Sequence, residues 1–173
     1  MHIFSQFKKI TTFIFDMDGV LTDGQLLLSG KNEWLRSMSI KDGYALQAAT
    51  SAGYNIMVLS GSNSEPVSIR LKKLGVTHIY MGVKDKKDFL ENFLLEKKWI
   101  PGEILYMGDD LPDLECMKMV SIAACPIDAV DDVRAIAAYI SPFSGGKGCV
   151  RDVIEKVMKL NGKWNPAAQI PSI

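Results

Sequence analysis

Two groups of acidic residues in this 173-residue chain each follow a short apolar run. Asp16 and Asp18 come after the run 11–15, and Asp109 comes after the run 103–107. Such runs indicate buried strands, and open α/β sheets bind ligands beyond the carboxyl ends of their strands. Carboxylates this close repel one another unless a cation relieves them, and Mg²⁺ prefers oxygen ligands. We therefore predict a magnesium site formed by the side chains of Asp16 and Asp109 and the backbone carbonyl of Asp18.

The acid pair also has less specific interpretations. An Asp-x-Asp pair occurs as a solvated turn, and a similar pair opens the calcium loop of an EF-hand. The EF-hand glycine stands later in its loop than Gly19 does here, and no buried strand precedes such a loop. Two acidic strand ends far apart in the sequence converge naturally in a parallel sheet, so their coincidence favours a built site.

Phosphate binding is predicted by polar residues that follow other strands. Ser60 and Gly61 end a predicted strand at 55–60 and lead into a helix, so hydroxyl and N–H groups face the same sheet edge. The alternative for these hydroxyls is a simple helix cap. Lys86 lies in the first turn of a predicted helix, where the helix dipole disfavours a cation, and this conflict indicates a functional use.

Together these residues suit phosphoryl transfer, which depends on positioning and charge neutralisation. We predict that Asp16 is the nucleophile and forms an aspartyl-phosphate. Asp18 is predicted to protonate the leaving alcohol and then to deprotonate the attacking water. Ser60, Gly61 and Lys86 are predicted to hold the transferring oxygens as charge develops.

A glycine loop at 145–148 carries two further candidates for binding an anionic substrate. Lys147 and Arg151 flank its glycines, and a solvated helix start is the equal alternative for both. Asp23, which follows the acid pair, is also assigned to substrate binding.

Composition excludes several classes of protein. A hydrophobic content of 47% excludes a disordered chain, and 20 basic against 20 acidic residues give no field that would attract nucleic acid or an anionic membrane. The three cysteines show no C-x-x-C spacing and are odd in number, so we expect them to be small core residues in a reducing compartment. No apolar run reaches membrane-spanning length and no signal-peptide pattern is visible, so a cytoplasmic protein is predicted.

The elements that must position these residues alternate between strand and helix, which predicts an α/β fold with a mainly parallel sheet. A single domain over 1–160 is predicted, with a flexible tail at 161–173. The predicted strands are 11–15, 55–60, 76–81, 103–107, 120–125 and 139–140. The predicted helices are 42–52, capped by Asp42, then 65–74, one ending near 98, 112–119, 131–138 and 149–160.

A β-hairpin is predicted at about 25–40, around a turn at 29–32, and it should project over the acid pair. Its apolar side chains exceed what a lone hairpin can bury, so we predict that they pack against another subunit. The alternative is that the hairpin folds back onto its own domain. The apolar residues are Leu26, Leu27, Leu28, Trp34, Leu35 and Met38.

Four segments resemble the four motifs of the haloacid dehalogenase superfamily. They are Asp16-Met-Asp-Gly-Val-Leu-Thr-Asp-Gly24, Leu59-Ser-Gly61, Lys86 and Gly108-Asp-Asp-Leu-Pro-Asp113. Their order and span, nearly all of 11–160, are similar to the small capless branch. Further segments at 41–44, 75–80 and 145–151 resemble its family of 3-deoxy-D-manno-octulosonate 8-phosphate phosphatases.

The resemblance implies a Rossmann-like three-layer α/β/α sandwich with a small hairpin flap. It also implies a Mg²⁺-dependent homotetramer that hydrolyses a sugar-acid phosphate in lipopolysaccharide precursor synthesis. In that family the hairpins form a central barrel, and a neighbouring subunit helps to close each site.

One residue departs from the family pattern. Members often carry an arginine after the glycine of the second motif, where this chain has Ser62. Relatives that act on nine-carbon (KDN or sialate-type) 9-phosphates differ at the same place, so such a substrate is the same-class alternative. A phospho-accepting, receiver-like signalling domain is the different-class alternative, and an inactive structural subunit is a third.

Overall fold

The computed structural model describes residues 3–29 and 34–165. The strands are β1 (Thr12–Phe15), β2 (Leu27–Leu28), β3 (Trp34–Leu35), β4 (Asn55–Leu59), β5 (His78–Tyr80), β6 (Ile104–Met107), β7 (Ile122–Cys125) and β8 (Tyr139–Ile140). The helices are α1 (Ile3–Phe7), α2 (Ile40–Ser51), α3 (Glu65–Lys73), α4 (Lys86–Lys97), α5 (Leu114–Lys118), α6 (Asp131–Ile136) and α7 (Cys149–Leu160). Across the described ranges, no helix combines the length and apolarity needed to cross a bilayer.

Six strands form one parallel sheet in the order β5-β4-β1-β6-β7-β8. The first strand, β1, lies in the interior of the sheet, where Phe15 is in register with Val58 of β4 and with Met107 of β6. The carboxyl ends of these three strands therefore lie side by side. The predicted convergence of the acidic strand ends is confirmed.

Helices cover both faces of the sheet, which confirms the three-layer α/β/α architecture. Side chains alternate along β1, so Phe13 and Phe15 pack with Leu46 of α2 and Val153 of α7, while Ile14 faces the other layer. That second layer is built on α4, α5 and α6 and includes Leu90, Met117 and Val133. Each such buried side chain stabilises the fold by roughly 1.5–3 kcal/mol.

Asp42 does not cap α2 as predicted. The cap is Ser39, whose hydroxyl accepts the Asp42 N–H at 3.2 Å. The Asp42 carboxylate is 2% exposed and accepts the N–H groups of Gly148 at 3.1 Å and Arg151 at 2.7 Å. A buried carboxylate needs such donors, and the unpaired N–H groups at the start of α7 supply them. Asp42 therefore caps α7 from the neighbouring helix.

The predicted hairpin is present as the antiparallel pair β2–β3, outside the main sheet. Residues 30–32 of its predicted turn lie outside the described residues. The side chains of Leu27 and Leu28 are each 68% exposed and that of Trp34 is 62% exposed, so the hairpin's own domain does not cover them. Met38 differs, because it packs against the domain core.

Two terminal segments complete the described structure. The short helix α1 was not predicted; it is anchored by Phe7, which is fully buried. At the other end Trp164, in the predicted tail, packs edge-on against Tyr44 with ring centroids 6.0 Å apart. Residues 166–173, to which the rest of the tail prediction applies, lie outside the described residues.

Candidate active site

The turn after β1 places both acids of the first motif at one cavity. Asp16 continues the extended backbone of the strand, and Asp18 lies in the turn Met17–Leu21 that follows. Both residues line a cavity of about 330 Å³ at the carboxyl edge of the sheet. Both side chains therefore border the same cavity, although Asp18 lies beyond the strand.

Gly19 allows this turn to approach the second acidic group. Its φ of +91° lies in the left-handed region, which favours glycine. A Cβ atom at Gly19 would stand 1.9 Å from Oδ2 of Asp109. The missing side chain is therefore what allows Asp109 to lie against the turn after β1.

Most of the residues that were predicted to take part in phosphoryl transfer line this cavity. Ser60 and Gly61 reach it from the end of β4, Lys86 from the start of α4, and Asp109 from the end of β6. The full lining also includes residues that the sequence analysis did not select. The complete set is Asp16, Asp18, Gly24, Ser60, Gly61, Ser62, Lys86, Asp109, Asp110, Pro112 and Asp113.

Lys86 is a buried cation held between two carboxylates. Its Nζ donates to Oδ1 of Asp16 at 2.6 Å and to Oδ1 of Asp113 at 2.8 Å, and its side chain is 7% exposed. Burial lowers the pKa of Lys86, but Asp113 and Asp16 together raise it above its usual value. The lysine therefore stays charged, which explains why a cation is tolerated in the first turn of α4.

Asp113, the last residue of the fourth resembling segment, was given no role in the sequence analysis. Its Oδ1 also accepts the Tyr106 hydroxyl at 2.7 Å, and its Oδ2 accepts the Asp109 N–H at 3.2 Å. The carboxylate is 1% exposed, so each of these donors offsets its desolvation. The available signal was its place four residues after Asp109, in a turn that brings its carboxylate back to the Asp109 backbone.

Three carboxylates crowd around this lysine. One oxygen each from Asp16, Asp109 and Asp113 lie within 4.8 Å of one another. Burial, with the charges of Asp16 and Asp113, raises the pKa of Asp109 to about 8. Burial and the Asp113 charge raise the pKa of Asp16 to about 6, against the opposing effect of Lys86. The cluster therefore has more carboxyl groups than Lys86 alone can keep ionised.

An orphaned atom marks where another cation would fit. Oδ1 of Asp109 is buried and has no hydrogen-bond partner within the described part of the chain. An unpaired buried carboxylate oxygen is costly, and a hard divalent cation with oxygen ligands would relieve it. The residues present therefore fit the predicted Mg²⁺, with Asp113 adjoining Asp16 and Asp109. The Asp18 carboxylate lies outside this group.

The Asp18 carboxylate is instead held by Arg36, which was not predicted as a site residue. The guanidinium donates from Nε to Oδ1 at 2.7 Å and from Nη2 to Oδ2 at 3.0 Å. Burial raises the pKa of Asp18, but hydrogen bonds from Arg36, Ser62 and Thr22 and the Arg36 charge bring it below its usual value. Asp18 is thereby kept ionised in this state.

Ser60 lies in a tight turn between β4 and α3. Its Oγ accepts the Ser62 N–H at 3.1 Å, and its backbone N–H donates to the carbonyl of Tyr80 on β5. The residue is 1% exposed. Since Oγ is already an acceptor within the turn, its own proton remains for a ligand in the cavity.

The three predicted substrate-binding side chains lie elsewhere. Lys147 Nζ is 3.6 Å from Oδ2 of Asp23, because Gly146 packs against the backbone after the acid turn and donates its N–H to the Val20 carbonyl. Neither Asp23 nor Lys147 lines the acidic cavity.

Arg151 faces a second cavity, of about 540 Å³, beside α7. Its Nε donates to Glu155 at 2.9 Å, and its guanidinium packs near the rings of Tyr44 and Trp164. The substrate-binding role assigned to Arg151, like those of Asp23 and Lys147, stays a prediction.

Comparison with known proteins gives a consistent result. No family model matches the chain. The 3-deoxy-D-manno-octulosonate 8-phosphate phosphatase KdsC of Salmonella typhi is 29% identical over 166 residues, which cover 96% of this chain and 88% of the relative. The putative enzyme of that name from Vibrio cholerae has a structure with a TM-score of 0.90 and 30% identity, covering 94% of this chain and 91% of the other.

Two further structures have 31% identity. One is the enzyme of that name from Moraxella catarrhalis, in complex with a magnesium ion, a phosphate ion and a KDO molecule; its TM-score is 0.88, with 92% of each chain covered. The other is a putative subfamily III A hydrolase of the HAD superfamily from Legionella pneumophila, with a TM-score of 0.89 and coverage of 92% and 88%. The chain therefore belongs to the haloacid dehalogenase superfamily, within the family of the 3-deoxy-D-manno-octulosonate 8-phosphate phosphatases.

Proposed function

We propose that this protein is a Mg²⁺-dependent phosphatase that hydrolyses 3-deoxy-D-manno-octulosonate 8-phosphate to the free sugar acid and phosphate. The observation that carries the proposal is the cluster of Asp16, Asp109 and Asp113 around Lys86, with an orphaned oxygen on Asp109. The related Moraxella catarrhalis enzyme binds magnesium, phosphate and KDO, which supports the choice of metal and substrate.

The metal would be held by the side chains of Asp16 and Asp109 and the backbone carbonyl of Asp18. When bound, Mg²⁺ neutralises charge on the phosphoryl oxygens. Asp113 helps to position these ligands. Its carboxylate accepts the Asp109 N–H and also accepts a hydrogen bond from Lys86, which bonds to Asp16 as well. The protein supplies orientation and the remaining positive charge.

Asp16 is placed to act as the nucleophile. Lys86 fixes its Oδ1, which leaves the other carboxylate oxygen to form a bond to phosphorus as the ester bond breaks. Ser60, the Gly61 N–H and Lys86 border the same cavity and are suited to hold the phosphoryl oxygens during this transfer.

Asp18 is placed to move the proton. Its side chain is 29% exposed, so leaving group and water can reach it, whereas Asp16 is 6% exposed. Asp18 is ionised in the free enzyme, so it first takes up a proton from solvent, and in the first step it gives that proton to the leaving alkoxide. In the second step it accepts a proton from the water that attacks the aspartyl-phosphate, and phosphate is released. Such proton transfer typically contributes about 10²–10⁴-fold in rate.

The wider biology follows from the same assignment. We infer a cytoplasmic homotetramer that acts in lipopolysaccharide precursor synthesis. Three buried free cysteines at 116, 125 and 149 fit a reducing compartment, and the exposed leucines of the hairpin fit a subunit interface.

Substitution of the nucleophile tests the reaction. Asp16→Asn is expected to abolish phosphate release while the protein stays folded, because the amide cannot attack phosphorus. Continuous phosphate release is the measurement, since a receiver-like domain would retain phosphate stoichiometrically. Asp132→Asn, an exposed acid on α6, is the matched control and should keep wild-type turnover. Near-normal release by Asp16→Asn would refute the assignment.

A substrate panel tests the choice of sugar. The nine-carbon 9-phosphates remain the second candidates because Ser62, the departure from the family pattern, lines the cavity. We expect kcat/KM to be highest for the eight-carbon 8-phosphate. A higher kcat/KM for a KDN or sialate 9-phosphate would assign the enzyme to that class while leaving the phosphatase chemistry in place.

A further inference from the structure

The hairpin sends a buried arginine side chain to the edge of the acidic cavity. Arg36 follows β3, and 3% of its side chain is exposed, although Trp34 and Leu35 beside it are exposed. Its Nε and Nη2 donate hydrogen bonds to the two carboxylate oxygens of Asp18, and Nη1 donates to the Trp34 carbonyl at 3.4 Å. A planar guanidinium that makes two parallel bonds to one carboxylate fixes the plane and direction of that carboxylate.

The two Asp18 oxygens are held differently. Oδ1 accepts the short 2.7 Å bond from Arg36 Nε and a second bond from the Thr22 hydroxyl at 3.3 Å. Oδ2 accepts the longer 3.0 Å bond from Arg36 Nη2. Ser62 adds a further side-chain hydrogen bond to this carboxylate. The longer Nη2 bond at Oδ2 is the one that a substrate oxygen would replace while Oδ1 stays anchored. This asymmetry suits a carboxylate that must work with one oxygen and keep its position with the other.

We propose that Arg36 is a positioning residue that holds Asp18 where it exchanges a proton with the leaving oxygen and with the attacking water. This inference rests on the proposed phosphatase function. It makes the hairpin part of the catalytic machinery, because the side chain that orients Asp18 comes from the hairpin. Arg36 and Ser62 both hydrogen-bond to Asp18.

Arg36 could instead serve only to hold the hairpin in place. Substrates with different leaving groups distinguish this structural role from a role in positioning Asp18. An alkyl phosphate such as the sugar-acid phosphate needs a proton on its leaving oxygen, whereas 4-nitrophenyl phosphate has a leaving group stable as an anion. If Arg36 acts through Asp18, its loss lowers kcat/KM for the first substrate and largely spares kcat/KM for the second, because kcat/KM reports phosphoryl transfer to Asp16 and omits the later water step that both substrates share. A structural or phosphate-binding role would slow both.

The experiment measures kcat and KM for both substrates in the wild type and in the variants Arg36→Gln and Arg36→Lys. We expect kcat/KM of Arg36→Gln to fall about 10²-fold on the sugar-acid phosphate, with a far smaller loss of kcat/KM on 4-nitrophenyl phosphate. Arg36→Lys should recover part of the loss, because an ammonium keeps the charge without the fork. Arg134→Gln, an exposed arginine on α6, is the matched control.

A double-mutant cycle completes the test. In an Asp18→Asn background, Arg36→Gln should cause little further loss, because residues that act as a unit are not additive. Equal losses of kcat/KM on both substrates, or additive losses in the cycle, would overturn the role of Arg36. If Arg36→Gln fails to fold, Arg36→Lys gives the same comparison. Absence of turnover in the wild type would instead overturn the proposed function.

Discussion

At the scale of single residues, the site depends on one side chain that is missing. Gly19 combines a left-handed backbone with contact against Asp109, so an added methyl group would meet a carboxylate rather than open space. Two effects of substitution are expected, backbone strain and displacement of a proposed metal ligand. They can be separated because the chain contains another left-handed glycine with free space around it.

We predict that Gly19→Ala weakens activation by Mg²⁺ and lowers kcat sharply, since Asp109 must move away. Gly53→Ala is the matched control, because Gly53 has a φ of +83° and nothing within 4 Å of an added Cβ. Both variants should lose about 1–2 kcal/mol of unfolding free energy from strain. Magnesium titrations of activity and urea unfolding measure the two effects. Unchanged Mg²⁺ activation in Gly19→Ala would contradict the close approach described here.

Strand-end reasoning predicted Asp16, Asp18 and Asp109, because parallel neighbours bring their carboxyl ends to one edge whatever lies between them. Arg36 could not be found in this way, since the path of a hairpin outside the sheet is not set by periodicity. Asp113 and Tyr106 were missed for another reason. Their roles appear only as contacts to the groups that carry the chemistry.

At the scale of elements, α2 and α7 are joined by a shared cap. The local pattern placed Asp42 as the cap of its own helix, and this was wrong because Ser39 takes that role. The chain around Asp42 is locally ordinary, and its true partners lie more than 100 residues away on α7. Helix capping across a tertiary contact leaves no signal in the neighbouring sequence.

We predict that Asp42→Ala destabilises the fold by roughly 1–3 kcal/mol, because two N–H groups at the start of α7 lose their acceptor. Asp42→Asn should lose less, since the amide oxygen still accepts. Urea unfolding gives the free energies, and Asp131→Ala, an exposed first-turn acid on α6, is the control. A free energy of unfolding for Asp42→Ala equal to that of the control would show that water replaces the cap.

At the scale of the whole molecule, the fold class was predictable and the surroundings of the hairpin were not. The alternation of strands and helices was enough to indicate the parallel sheet. The choice between a folded-back and a subunit-covered hairpin needed coordinates, which show Leu27 and Leu28 exposed on the single chain. A subunit interface that covers these leucines stays a prediction.

We predict that the double substitution Leu27→Asp and Leu28→Asp converts a homotetramer into smaller species, because buried charges oppose packing between hairpins. Light scattering coupled to size exclusion measures the mass. Leu95→Asp is the control, since Leu95 is 75% exposed on α4, away from the hairpin. A wild-type mass equal to one chain would exclude the tetramer. Loss of activity on dissociation would fit the hairpin origin of Arg36.

The interior position of β1 also determines when the site can form while the chain is being synthesised. The strand that bears Asp16 leaves the ribosome early, yet its partner β6 begins only at Ile104. Contacts of such long sequence separation form late and slowly. A nascent chain that ends before β6 therefore contains Asp16 but lacks Asp109. A cation that needs ligands from both strand ends can bind, and so stabilise, only the completed sheet.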